Sequence, residues 1–431
     1  MANVQSRRAP RMGRSQTGTV AALDIGCSKI TCLIGRNDGS GPRSFRILGA
    51  GRQQSRGFTG GTITDMEGLE RSIRLAVEDA EREAGEQITS VMLGITGQKL
   101  ASTLVTAQIE IGAREITQKD VRRIQAQALA KVPAKGEDIL AAWPVAYRVD
   151  DQEGVREPQG MYAADLGILL SVVTAPKSIV KNLVECVGRA HLGVTALIPS
   201  SIASGAGTLI DDEIENGAIC IDMGAGVTAV SVYLNGSPAW LGLVPAGGAH
   251  VTADLAQGLG TTFAAAERLK SVYGTANLEG PGLAERIEVP RLGDDGRLQT
   301  TRMERGQLAE IIAPRIEETF ELVQKTLESS GVRKVLPRRV VLTGGASQLP
   351  GVRDVATRIL QAPVRLGRPT IAEFLGETLA TPAFSTASGL LLYSELGFAD
   401  AARAAAASRK DGPESRSGMV NKVFHWLEEN F

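Results

Sequence analysis

Two stretches far apart in the chain carry one hydrophobic pattern. Val20–Ile34 and Ala218–Val232 each read as an apolar strand, an Asp-x-Gly turn and a second apolar strand. In both, β-branched and small apolar residues run into glycine where the backbone must reverse. The missing side chain brings amide N–H groups close to whatever lies above the turn. A third run, Arg339 to Ser347, predicts a short strand ending in the Gly344-Gly345 turn, followed by a helix from Gly351. Val91–Ile95 and Val105–Ile111 predict strands, Lys119–Lys131 a helix beginning after Thr117, and Ala203–Leu209 a helix that Ser200 or Ser201 would cap.

At the end of the chain a run of large apolar residues returns at helical spacing. Val420, Val423, Phe424, Leu427 and Phe431 share one helical face, with Met419 and Trp426 at its border and Lys422, His425 and Glu429 opposite. Alanine-rich Ala401–Ala407 and polar Ser408–Gly418 separate this helix from the rest, so residues 399–418 read as a flexible linker. A stripe with no domain attached needs a surface: a bilayer boundary, the folded body or a partner's groove.

Composition narrows the function. The 431 residues carry 47 basic and 48 acidic side chains, enough chain for two to four folded units and too balanced for a nucleic-acid coat. Cys27, Cys32, Cys186 and Cys220 form no CxxC pair, which fits a reducing compartment, and His191, His250 and His425 form no zinc motif. That pattern argues against a metallohydrolase. The longest apolar run, Ala163–Ala175, contains Asp165 and falls short of the ~20 residues that cross a bilayer. Residues 1–18, with Arg7, Arg8, Arg11 and Arg14, read as a disordered basic leader, either a solvated tail or a segment near anionic lipid.

One Asp-x-Gly hairpin alone is an ordinary turn. Two that face each other make a phosphate clamp, with the amides of Gly26, Cys27, Ser28, Lys29, Gly224, Ala225 and Gly226 on triphosphate oxygens. Asp24 and Asp222 would then hold waters of a bound Mg²⁺. Gly344 and Gly345 would let a flat base lie against the backbone. Glu267 and Lys270, three apart on a helix, would reach ribose and base, or form a plain surface ion pair. Cys27 serves as a small residue giving its amide to phosphate, or as an oxidation-sensitive thiol.

These three loops resemble those of the actin, Hsp70 and sugar-kinase superfamily. Ala246-Gly247-Gly248 with Val251–Ala256, Ala266–Lys270 with Tyr273-Gly274, Val341–Ala346 and Ser385–Leu391 resemble the FtsA family of bacterial cell-division proteins. The resemblance implies an α/β, actin-like two-lobed ATPase fold with duplicated ribonuclease-H-like cores. It divides the chain into a first lobe (19–90 and 173–215), an FtsA-type inserted subdomain (91–172), a second, adenosine-side lobe (216–398), the linker and a C-terminal amphipathic helix (419–431). It also implies ATP and Mg²⁺ as cofactors, with Gly248 beside the nucleotide. The implied partners are the FtsZ C-terminal tail, further copies of the chain head to tail, anionic membrane lipid and later division proteins, with no nucleic acid. The place would be the cytoplasmic face of the inner membrane at the division site, held by Val420, Val423, Phe424, Trp426, Leu427 and Phe431.

One departure bears on chemistry. Where many ATPases of this superfamily place a Glu or Gln before a proline to orient the attacking water, this chain has Ile198 before Pro199, which implies weak or absent hydrolysis unless Ser200 or Ser201 substitutes poorly. The alternatives are a soluble ATPase or small-molecule kinase of the same superfamily, and an actin-like platform of pilus or secretion machinery.

Overall fold

The computed structural model describes residues 18–37, 45–97, 99–133, 136–293 and 298–393. Nearly all of the basic leader, the 399–418 linker and the 419–431 helix with its six membrane-facing candidates lie outside the described residues.

The duplicated sequence pattern becomes a duplicated sheet. The first sheet runs Gly193–Pro199, Ser90–Ile95, Thr19–Ile25, Lys29–Asn37, Phe45–Gln54, and the second runs Val364–Leu366, Val340–Thr343, Ala218–Met223, Thr228–Leu234, Ser237–Val244. In each, three strands form an antiparallel meander and two more add in parallel beside the first of them. This is the duplicated α/β core that the sequence predicts, a mixed sheet repeated once.

Close helix packing fixes the first sheet. Helix Met66–Ala84 buries Leu69, Ile73, Ala76, Val77 and Ala80 along one stripe, begins at the Asp65 cap and ends at left-handed Gly85. It lies so near strand Phe45–Gln54 that a Cβ at Gly51 would fall 1.7 Å from the Ala76 carbonyl oxygen. Only glycine permits that approach.

Between the lobes, helices Ser200–Thr208 and Ser385–Leu392 cross in backbone contact, since a Cβ at Gly389 would sit 1.6 Å from the Ala203 carbonyl oxygen. Around the crossing, Ala22 and Leu33 of the first sheet and Cys220, Tyr233 and Val341 of the second share one core with Ile202, Ala206 and Leu390. The Tyr233 hydroxyl donates to the Ile202 carbonyl at 3.0 Å inside it.

A third sheet, fully antiparallel, runs Ala101–Glu115, Tyr162–Pro176, Glu137–Val149, Gln152–Val155. Helix Gln118–Ala130 covers one face, started by a reciprocal cap between Thr117 and Asp120. Val145, Leu104 and Leu169 lean on the second lobe's core. Assigning Val91–Ile95 to this insert needs correction. Strand Ser90–Ile95 lies inside the first sheet, parallel to both neighbours, because its unbroken apolar run suits a strand covered on both faces. No helix among the described residues is long and apolar enough to cross a membrane.

Candidate functional site

The two Asp-x-Gly hairpins have matching internal geometry. Gly26 N–H donates to the Lys29 carbonyl and Gly224 N–H to the Val227 carbonyl, each at 3.0 Å. A Cβ at either glycine would crowd the same carbonyl, at 3.0 and 2.9 Å. These two glycines therefore shape the turns and spend their own amides inside them, which removes both from the expected phosphate donors. The residues between, Cys27 and Ser28 on one side and Ala225 and Gly226 on the other, form the facing tips.

The tips meet. A Cβ at Gly226 would stand 2.7 Å from the Cys27 sulfur. The amides of Gly61, Gly60 and Gly226 are directed at that sulfur, yet burial pushes the thiol upward, and the Asp24 carboxylate adds to the rise. Cys27 is thus a protonated, packed contact between loops rather than a reactive thiolate. Sequence reasoning missed Gly60 and Gly61, although a Gly-Gly pair between strands Phe58–Thr59 and Thr62–Ile63 marks a tight hairpin, and both take positive φ, 56° and 79°.

Behind the tips lie three partly buried ionisable side chains. Burial pushes the Asp24 carboxyl up to about 7, with Asp222 adding and Lys29 opposing. Burial likewise raises Asp222, against hydrogen bonds from Thr386 and Ser204 and the charge of Lys29. Lys29 is lowered to about 8 by burial, opposed by Asp24. Its ammonium donates to the Ala383 carbonyl at 2.6 Å and lies 3.6 Å from the centroid of the Phe384 ring. Two carboxyls driven toward their neutral forms in one cleft are what a divalent cation would relieve, so the donor set fits a hydrated Mg²⁺ held through water.

The Gly344-Gly345 loop and its surroundings belong to the second lobe. Gly344 has φ 88°, and a Cβ there would fall 2.2 Å from the Asp222 carboxylate, which joins this loop to the phosphate side. A Cβ at Gly345 would be 3.8 Å from Ala383. Gly248 and Ala249 donate their amides to the Gly224 and Ala225 carbonyls at 3.0 and 2.8 Å, so Gly248 anchors the second hairpin rather than offering an anion donor. A Cβ on Gly248 would press on Ala346 at 3.2 Å, which keeps this wall flat. Lys270 donates to the Gly248 carbonyl (2.9 Å), Thr252 (2.8 Å) and Glu267 (2.7 Å). Glu267 stays about half exposed and Lys270 largely covered. The Glu267–Lys270 pair is therefore wired to the glycine loop and is more than an isolated surface bridge.

Ile198 is buried in the lobe junction and presents no polar atom. Ser200 and Ser201 do not cap a helix beginning at Ala203. Helix Ser200–Thr208 starts at Ser200 itself, without a side-chain cap, because Pro199 occupies the capping position. Thr386, which the sequence reading did not single out, donates to Asp222 at 3.0 Å.

A family model described as "Cell division protein FtsA" matches residues 219–389, and one described as "SHS2 domain inserted in FTSA" matches residues 97–174. The cell division protein FtsA of Agrobacterium fabrum is 39% identical, with 98% of this chain and 97% of that protein covered. Among solved structures, the PilM–PilN type IV pilus biogenesis complex matches with TM-score 0.62 at 17% identity, covering 88% of this chain and 99% of the other. MreB5 of Spiroplasma citri, bound to ADP, matches with TM-score 0.52 at 11% identity, covering 92% and 99%. Likeness at such identities shows the fold alone, which is the actin-like one. Full-length similarity to a curated relative, with two matching family models, goes further: this chain belongs to the FtsA family of cell division proteins.

Proposed function

We infer that the chain is an ATP-binding, actin-like cell-division protein that polymerises on the cytoplasmic face of the inner membrane, tethers the FtsZ ring there and helps to recruit later division proteins. The observation that carries the nucleotide part is the meeting of the two hairpins over Asp24, Asp222 and Lys29, with the Gly344-Gly345 loop joined to Asp222 on the base side. In this reading the tips formed by Cys27, Ser28, Ala225 and Gly226 receive the phosphates, and Lys29 neutralises their charge. Asp24 and Asp222 would hold the waters of a bound Mg²⁺, which would supply charge compensation for the phosphates. Gly248, Gly344 and Gly345 flank the adenosine, with Glu267 and Lys270 on the ribose side. The buried Ile198 supports slow hydrolysis, because an aliphatic side chain cannot orient water.

Membrane attachment rests on the 419–431 stripe and on valency. Each helix binds weakly, and a head-to-tail row presents many at once. Two experiments test the reading. Calorimetric titration with ATP and Mg²⁺ should show binding, and absence of affinity at millimolar nucleotide refutes it. Liposome pelleting should be lost on truncation after Gly418, and equal pelleting of both chains refutes the tether.

A further inference from the structure

Ser200 starts a helix directly after the strand that ends in Ile198 and Pro199. The parallel strands Thr19–Ile25, Ser90–Ile95 and Gly193–Pro199 point their C-terminal ends at the cleft, the end of an open α/β sheet where ligands gather. Asp24 lies at the end of one outer strand of this trio and Ser200 just past the end of the other. Between them, on the middle strand, stands Gly94, paired with Ile198. A Cβ at Gly94 would lie 3.0 Å from the Ser200 hydroxyl oxygen and 3.5 Å from an Asp24 carboxylate oxygen. Glycine here lets the Ser200 hydroxyl and the Asp24 carboxylate approach the same point of the middle strand from two sides, with Leu390 Cδ1 3.4 Å from that point on a third.

Two further observations assign this hydroxyl a task. Ser200 is only 8% exposed, and its oxygen has no hydrogen-bond partner in the protein, an expensive condition for a buried hydroxyl. The second lobe handles its matching carboxylate differently, since Thr386 of the crossing helix donates directly to Asp222 at 3.0 Å. No hydrogen bond from a hydroxyl to Asp24 is present among the described residues, and Ser200 lies on the other side of Gly94 from it.

We propose that Ser200 is a positioning residue for ATP hydrolysis, its hydroxyl and the Asp24 carboxylate together holding one water at the phosphate end of the cleft. This rests on the nucleotide reading above. The water's oxygen bonds to the γ-phosphorus as the β–γ bridging P–O bond breaks. ADP leaves with that electron pair, and the water's proton passes to the released phosphate. A serine hydroxyl orients but does not accept that proton at neutral pH, so turnover is slow and depends on geometry.

The test compares full-length wild type, Ser200→Ala and Ser200→Thr in three measurements: phosphate release with ATP and Mg²⁺, affinity for ADP with Mg²⁺, and thermal melting in EDTA without nucleotide. Ser200→Ala should lower kcat at least tenfold, change ADP affinity less than twofold and melt no lower than wild type, because an unpaired buried hydroxyl has been removed. Ser200→Thr should recover part of kcat. Ser200→Ala with wild-type turnover overturns the proposal, as does a lower melting point in EDTA, or a wild type that binds ADP without releasing phosphate. Failure of the wild type to bind ADP at all would instead overturn the nucleotide reading on which the proposal stands.

Discussion

Replacing Asp24 by Asn should stabilise the nucleotide-free protein while weakening its hold on magnesium nucleotide. The Asp24 carboxyl is buried beside Asp222 and titrates near 7, against 3.8 in the unfolded chain. Because the folded value is raised, its contribution to stability is fully present below pH 3.8 and is lost as pH rises through 7. Asparagine keeps the shape and removes the titration. Between pH 5 and pH 7 the wild type gives up at most about 1.36 kcal/mol per unit relative to the variant, less as half of the carboxyl ionises near pH 7, or about 2 kcal/mol in all. For a chain of 431 residues this is about 2–3 °C of melting temperature. The assay is thermal unfolding of both proteins in EDTA from pH 5 to pH 8. The gap should widen up to pH 7 and then level off. Melting curves that stay parallel across this range would refute the reasoning, because they would mean that Asp24 is already ionised in the folded protein.

Gly226→Ala should drive a methyl into the Cys27 sulfur, 2.7 Å away, part the two tips and cost at least tenfold in ADP affinity, with Cys27→Ala in the same chain restoring a portion. Magnesium-dependent nucleotide affinity should fall as pH drops below 7, since protons compete for Asp24, and titration calorimetry at pH 6 and 8 reads this directly. Arg365→Met should destabilise by about 3 kcal/mol at pH 7 in urea unfolding. It strands Glu213, which is 3% exposed and receives the Arg365 guanidinium at 2.7 Å. In the wild type burial raises Glu213, but the hydrogen bonds from Arg365 and the Ile210 amide, with the charges of Arg365 and Arg339, together hold it below its usual range. The pair therefore contributes stability above pH 4.5 that is lost as pH falls through the lowered value, and Glu213→Gln beside Arg365→Met should recover part of the loss.

The repeat was legible because hairpins are local. Val20–Ile34 and Ala218–Val232 carry strand, turn and strand within a short window, and the register of both pairs follows from it. Gly344-Gly345 was legible for the same reason. The strand Ser90–Ile95 was assigned to the wrong sheet because its apolar run specifies burial on two faces but not its neighbours, which come from residues far away in sequence. The roles of Gly26, Gly224 and Gly248 were half legible. Glycine at a turn announces shape, while the destination of its amide depends on partners that only the folded chain supplies. Thr386 lay inside the Ser385–Leu391 motif, but its role, like that of Gly94, could not be found from sequence, since neither residue shows a task until Asp222 and Asp24 stand beside them. Nor does local pattern separate a capping serine from one inside the helix. Pro199 decided that by taking the capping position.

The crossing of Ser200–Thr208 with Ser385–Leu392 has a mechanical consequence. With Gly207 seated 2.3 Å, at its hypothetical Cβ, from the Ser385 carbonyl and Gly389 still nearer to Ala203, neither rod has room to slide along the other. Relative movement of the lobes is left with rotation about that point, as in the rivet of a pair of shears. Ser200 and Thr386 ride just beside the rivet, so even a wide swing of the blades displaces the groups nearest Asp24 and Asp222 only slightly.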